Sequence, residues 1–83
     1  MLVRKFNFPL FIEIIRTTVI EITREKGNEW VNLSELVARL KYQVQKYPIL
    51  THLSEHEIEQ KILVIDPKYI NFNDDKNLIR ITT

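Results

Sequence analysis

The sequence predicts an α+β fold: three helices, a short strand between the first two, and a two-stranded β-hairpin at the C-terminal end. Three observations carry that expectation. Apolar residues recur at helical spacing in three stretches before residue 66, each bounded by start or stop signals. After Pro67 the period changes to two, with Ile70 and Phe72 alternating with Tyr69, Asn71 and Asn73, and Ile79 and Ile81 alternating with Leu78, Arg80 and Thr82. Finally, 83 residues give room for one domain around one core.

Residues 1–8 have no helical stripe. Leu2, Phe6 and Phe8 share one parity with Arg4, which suits a short strand or an arm packed on a body formed by residues 9–83. Pro9 fits the first turn of a helix, where its missing donor costs nothing. Helix 1 is expected from about residue 9 to 26, with Gly27 as its stop. Steps of about 100° put Phe11, Ile12, Ile15, Val19 and Ile22 in one stripe and leave Leu10, Ile14 and Ile20 outside it. That apolar surplus calls for a cover, either the arm or a second subunit in a homodimer through helix 1.

Residues 29–31 are β-prone and follow Gly27 and Asn28, and Trp30 is expected in the core beneath the hairpin. Asn32 with Glu35 three residues on is an N-cap and capping-box pattern for helix 2. Leu33, Leu36, Val37, Leu40, Val44 and Tyr47 form its buried stripe, and Pro48 sets its latest end. Its outer face carries Glu35, Arg39, Tyr42 and Lys46. An exposed tyrosine between two cations can stack on a base or seat an anionic partner. The same residues read equally as a solvated face with a Glu35–Arg39 ion pair.

The connector to helix 3 is longer than a tight helix-turn-helix, with Ile49, Leu50 and Leu53 expected to tuck inward. Ser54 and Glu57 form a second capping box, so helix 3 begins at about Glu55 and ends by Asp66 and Pro67. Ile58, Ile62 and Ile65 are its buried stripe. His56, Glu57, Gln60 and Val64 point away, with Glu55 and Glu59 at the edge. Residues 74–77 are the hairpin turn, which lacks the glycine of the tightest hairpins.

Composition narrows the function classes. Apolar residues make up 45% and charged residues 28%, an ordinary globular balance. The absence of cysteine removes disulfides and thiolate metal sites. The apolar run after Arg4 and Lys5 is interrupted by Glu13 and Arg16 with no cleavage signal, and no uncharged stretch reaches the roughly 18 residues a membrane span needs. A cytoplasmic location is the default expectation, with no membrane partner. Twelve isoleucines and a single glycine lean towards a thermophilic source, while six asparagines lean the other way. No catalytic set stands out: Ser34 and Ser54 lie in or beside capping signals, and one glycine excludes a phosphate-cradling loop. His52, Glu55 and His56 match a zinc-peptidase spacing, but Ser54 as the cap leaves His52 off the helix, so neither metal nor cofactor is expected.

The formal charge is +1, unevenly spread. Arg39, Lys41 and Lys46 lie in a stretch without acids, whereas Glu55, Glu57, Glu59 and Asp66 outnumber Lys61 in the next. Taken together, WVNLSEL, SEHEIEQKI and the YINFN/LIRIT hairpin, in the order helix, strand, helix, helix, hairpin, resemble the winged-helix superfamily over about residues 9–82. The resemblance implies that the third helix and the hairpin, or wing, face the partner. In DNA-binding members that helix enters the major groove. Carried over here, the reading positions are Glu55, His56, Glu59, Gln60 and Leu63. His56 and Gln60 have base-contacting side chains, but the carboxylates beside them repel phosphates, and the wing tip at Asp74, Asp75, Lys76 and Asn77 is also net acidic.

Two functional readings follow. The first is a non-catalytic protein-docking module, an accessory or adaptor subunit of a transcription or replication assembly. It would meet a basic protein surface through Glu55 and Glu59 and use the surplus at Leu10, Ile14 and Ile20. The second is a dimeric DNA-binding regulator using Arg39, Lys41, Tyr42 and Lys46 with Arg4, Lys5, Lys68 and Lys76. RNA or single-stranded nucleic acid is a third, weaker partner class.

Overall fold

The protein is described from a computed structural model, in residues 6–82. Three helices, α1 (Phe8–Lys26), α2 (Leu33–Val44) and α3 (Glu55–Leu63), pack with three strands, β1 (Val31–Asn32), β2 (Ile70–Phe72) and β3 (Leu78–Ile81). The strands form one antiparallel sheet in the order β1-β3-β2. The α+β class therefore holds. Arg4 and Lys5, and the expectation of an arm over residues 1–8, lie wholly or largely outside the described residues. No described helix is long and apolar enough to cross a membrane.

Local signals set most of the boundaries. Asn7 caps α1 by accepting the Leu10 N–H at 3.1 Å, so the helix starts at Phe8 with Pro9 in its first turn. Gly27 ends it at φ 71°, donating its N–H to the Thr23 carbonyl at 2.8 Å. Ser54 and Glu57 form the expected capping box on α3: each backbone N–H donates to the other's side chain at 3.1 Å. Asn32 caps α2 by accepting from the N–H groups of Ser34 and Glu35. The reciprocal half of that box is absent, because the Glu35 carboxylate turns to Lys26 and Arg39 instead.

The core joins Phe11, Ile15 and Ile22 of α1 to Leu36 and Leu40 of α2, Ile58 and Ile62 of α3, and Val31, Ile70 and Ile79 of the sheet. Ile79 sits between Val31 and Phe72, so one parity of the sheet faces the helices. Phe6 joins the near end of α1 to α3: its ring is edge-on to Phe8 and Phe11, and the Lys61 ammonium lies 4.0 Å from its centre. The connector between α2 and α3 is a series of short turns in which Leu50 and Leu53 are fully buried three residues apart.

Several expectations are corrected. Ile14 is only 7% exposed and Leu10 is packed against the core, because α2 covers a second flank of α1. Only Ile20, 41% exposed, remains of that apolar surplus. The first strand is Val31–Asn32 rather than 29–31. Val31 takes the inward position opposite Ile79, and the neighbouring Trp30 lies half-buried outside the core, its ring beneath the Arg80 guanidinium at 4.7 Å. Ile49 stands open while Leu50 and Leu53 fill the space beneath the connector. The helix ends fall within the limits the prolines set: α2 ends at Val44, with Tyr47 half-buried against the core beyond it, and α3 ends at Leu63, before Asp66.

Candidate functional site

The outer face of α2 is the first candidate, and its charges are largely engaged within the chain. Arg39 bridges Glu25 at the end of α1 and Glu35 one turn back on α2. Its guanidinium is held charged even more firmly than usual, first by the hydrogen bond to Glu25. Lys26 closes the network by reaching Glu35 at 3.2 Å. Lys41 points the other way, and its ammonium donates to the Leu53 carbonyl at 2.6 Å, pinning the connector to α2. What stays available is Tyr42, 71% exposed, with the Lys46 ammonium 5.7 Å from its ring centre. Arg39, Lys41, Tyr42 and Lys46 thus do not form one free basic strip. Lys68 lies over the Tyr69 ring at 5.1 Å, and Lys76 occupies the hairpin turn in a left-handed conformation, φ 56°.

The second candidate is the outward side of α3 with the hairpin. His56 and Gln60 are exposed one turn apart and continue into Val64, 72% exposed, just past the helix end. Glu55 is exposed and Glu59 half-buried beside them. Glu57 is occupied by the cap: the Ser54 backbone N–H, then the Ser54 side chain, pull its carboxyl below the ordinary glutamate range. Beside the end of α3 lies a groove of about 660 Å³ with an apolar floor at Leu63, Val64, Ile70 and Phe72, and with Asp74 and Lys76 on its hairpin side. Asn73 shapes that side, since its Oδ1 accepts the N–H groups of both Asn77 and Leu78.

The acidic residues fall into two groups. Among the described residues, every salt bridge uses Glu25, Glu29 or Glu35, taken by Lys26, Arg39 and Arg80. None uses an acid of α3 or of the hairpin, so Glu55, Glu59, Asp66, Asp74 and Asp75 stand without a cationic partner there. Among the described residues, no three or more His, Asp or Glu side chains gather as a metal site, and Ser54 as the cap leaves His52 off α3.

Sequence reasoning missed a third feature, a groove of about 470 Å³ lined by Phe8, Ile12, Arg16, Val64, Asp66 and Tyr69. It is assembled from the start of α1 and the turn after α3, so no single periodicity could signal it. Comparison with protein-family models, with curated proteins and with solved structures gave no match to this chain.

Proposed function

We propose that this chain is a winged-helix binding module, a non-catalytic accessory or adaptor subunit of a nucleic-acid-processing assembly. It docks a protein partner with a basic surface through α3 and the adjoining hairpin groove. The element order and the central position of β3, paired on both sides, support the winged-helix reading. One observation carries the docking reading: Glu55, Asp74 and Asp75 are exposed and, among the described residues, in no salt bridge, while Arg39 and Lys41, two cations of the candidate nucleic-acid face, are engaged inside the chain. An apolar floor with acidic surroundings suits an amphipathic segment bearing Lys or Arg.

The test is affinity capture with wild-type protein and with Glu55→Lys plus Glu59→Lys, while circular dichroism monitors the fold. The reading expects a basic protein recovered by wild type and lost by the double variant. Recovery of the same protein by both would remove α3 as the docking face. A second reading, contact with nucleic acid, is favoured by one observation, the exposed Tyr42 ring with Lys46 beside it. Binding of a short duplex or single strand at low salt, lost in Tyr42→Ala and weakening steeply as salt rises, would establish that reading instead.

A further inference from the structure

Six large apolar side chains stand open to solvent; three of them, Phe8 at 37% exposure, Val64 at 72% and Tyr69 at 40%, line one groove, and Ile20 at 41% lies one helical turn beyond Arg16 at its edge. Phe8, Ile12, Arg16 and Ile20 lie at successive fourth positions of α1, a single ridge about 18 Å long at 1.5 Å per residue. Val64 and Tyr69 form the opposite wall of the groove beside the first half of that ridge. Isolated exposed apolar residues are ordinary, whereas a contiguous set of this kind marks a contact surface.

The charges on the groove indicate what covers it. Glu13 and Arg16 line it three residues apart on α1, alongside Asp66, and among the described residues none of the three is in a salt bridge. A partner surface of one sign would satisfy either Glu13 or Arg16 and repel the other. A second α1 laid antiparallel across a two-fold axis satisfies both, because one operation sets Glu13 against Arg16 of the second copy and Arg16 against its Glu13. The same register carries Ile20 of each copy to Pro9 of the other, at the end of the groove where Phe8 and Tyr69 stand. Ridges of fourth-position residues also pack into one another's grooves at the commonest helix crossing, about −50°.

We infer that the ridge Phe8–Ile12–Arg16–Ile20, with Val64 and Tyr69 beside it, is a two-fold self-association surface for a second copy of this chain. The Leu10 and Ile14 flank of α1 takes no part, being packed within the subunit. The inference does not rest on the docking role given to α3, although Val64 borders both grooves.

Charge exchange tests the symmetry directly. Wild-type protein should show concentration-dependent dimers by sedimentation equilibrium between about 5 and 500 μM, a range in which a tenfold change in Kd corresponds to about 1.4 kcal/mol. Glu13→Arg alone and Arg16→Glu alone should each weaken association at least tenfold, since each sets like charges face to face. Mixed together, the two variants should form a heterodimer, because both cross-pairs then carry opposite signs. Ile20→Asp, at an exposed site, should dissociate the dimer without altering the circular dichroism. A wild-type monomer across the range, or two single variants that stay apart on mixing, overturns the inference.

Discussion

Lys41 and Lys46 are five residues apart on the same stretch of sequence, and the structure gives them opposite roles. Lys41→Met keeps the aliphatic stem and removes the ammonium that holds the Leu53 carbonyl at 2.6 Å. A hydrogen bond from a charged donor is worth about 1.5–3 kcal/mol net, and because Lys41 is half-buried, water can partly replace it. The expected loss is therefore about 1–2 kcal/mol. For an 83-residue domain the unfolding entropy is about 0.17 kcal/mol per degree, so Tm should fall by about 6–12 °C. Lys46→Met, which removes only an exposed ammonium near Tyr42, should move Tm by less than about 3 °C, within the usual range for surface changes. Differential scanning calorimetry on the two variants side by side gives both numbers. If Lys41→Met leaves Tm unchanged, or if it abolishes partner or nucleic-acid binding at full stability, the assignment of Lys41 to the scaffold is wrong.

Two smaller effects follow from caps and turns. Glu57 has a lowered carboxyl pKa in the folded chain, so its contribution to stability is complete above the unfolded value and is lost as pH falls through the folded one. Urea midpoints measured from pH 6 down to pH 3 should fall less steeply for Glu57→Gln than for wild type, and equal slopes would show that the capping box does not govern this ionisation. Gly27→Ala should destabilise by about 1 kcal/mol through backbone strain alone, since φ is 71° and no atom lies within 4 Å of an added Cβ. Lys76→Gly, at φ 56° in the hairpin turn, should act in the opposite direction, and chemical denaturation of the pair reads both signs.

What could be read from the sequence was whatever is fixed by near neighbours in the chain. Asn32, Ser54 and Gly27 act within a few residues of themselves, and the stripe from Leu33 to Val44 repeats with the helix, so helix positions were legible to within a few residues. The alternation around Ile70 and Ile79 was legible for the same reason. Trp30 was misplaced because its face depends on which residue of β1 pairs with Ile79, a partner 48 residues away from Val31. Ile14 was misplaced because a single 100° stripe describes a helix covered on one side. α1 is covered by α2 as well as by the remaining core, which widens its buried arc to about 140° from Ile14 to Val19. The candidate basic strip failed likewise: Arg39 is engaged by Glu25 and Lys41 by Leu53, both more than three helical turns distant in sequence. Patterning located the charges but not their partners.

Val64 lies on both the α1 groove and the α3–hairpin groove, and that shared position makes the two proposed contacts dependent on each other. A second copy seated against Tyr69 and a partner segment seated against Phe72 would both bury the same isopropyl group, which is 72% exposed in the single chain. Two ligands that share a contact cannot each gain its full burial, so each should weaken the other, and by linkage the factor must be the same in both directions. Tyr69→Ala should weaken self-association alone, Asp74→Lys should weaken partner docking alone, and Val64→Asp should weaken both. Once a partner is in hand, the decisive measurement is its affinity for wild type and for the monomeric Ile20→Asp variant, since Ile20 lines neither part of the α3–hairpin groove. The partner should bind the monomeric variant more tightly, by the factor with which it dissociates the wild-type dimer. Equal affinities would mean that the two surfaces are occupied independently and that Val64 belongs to only one of them.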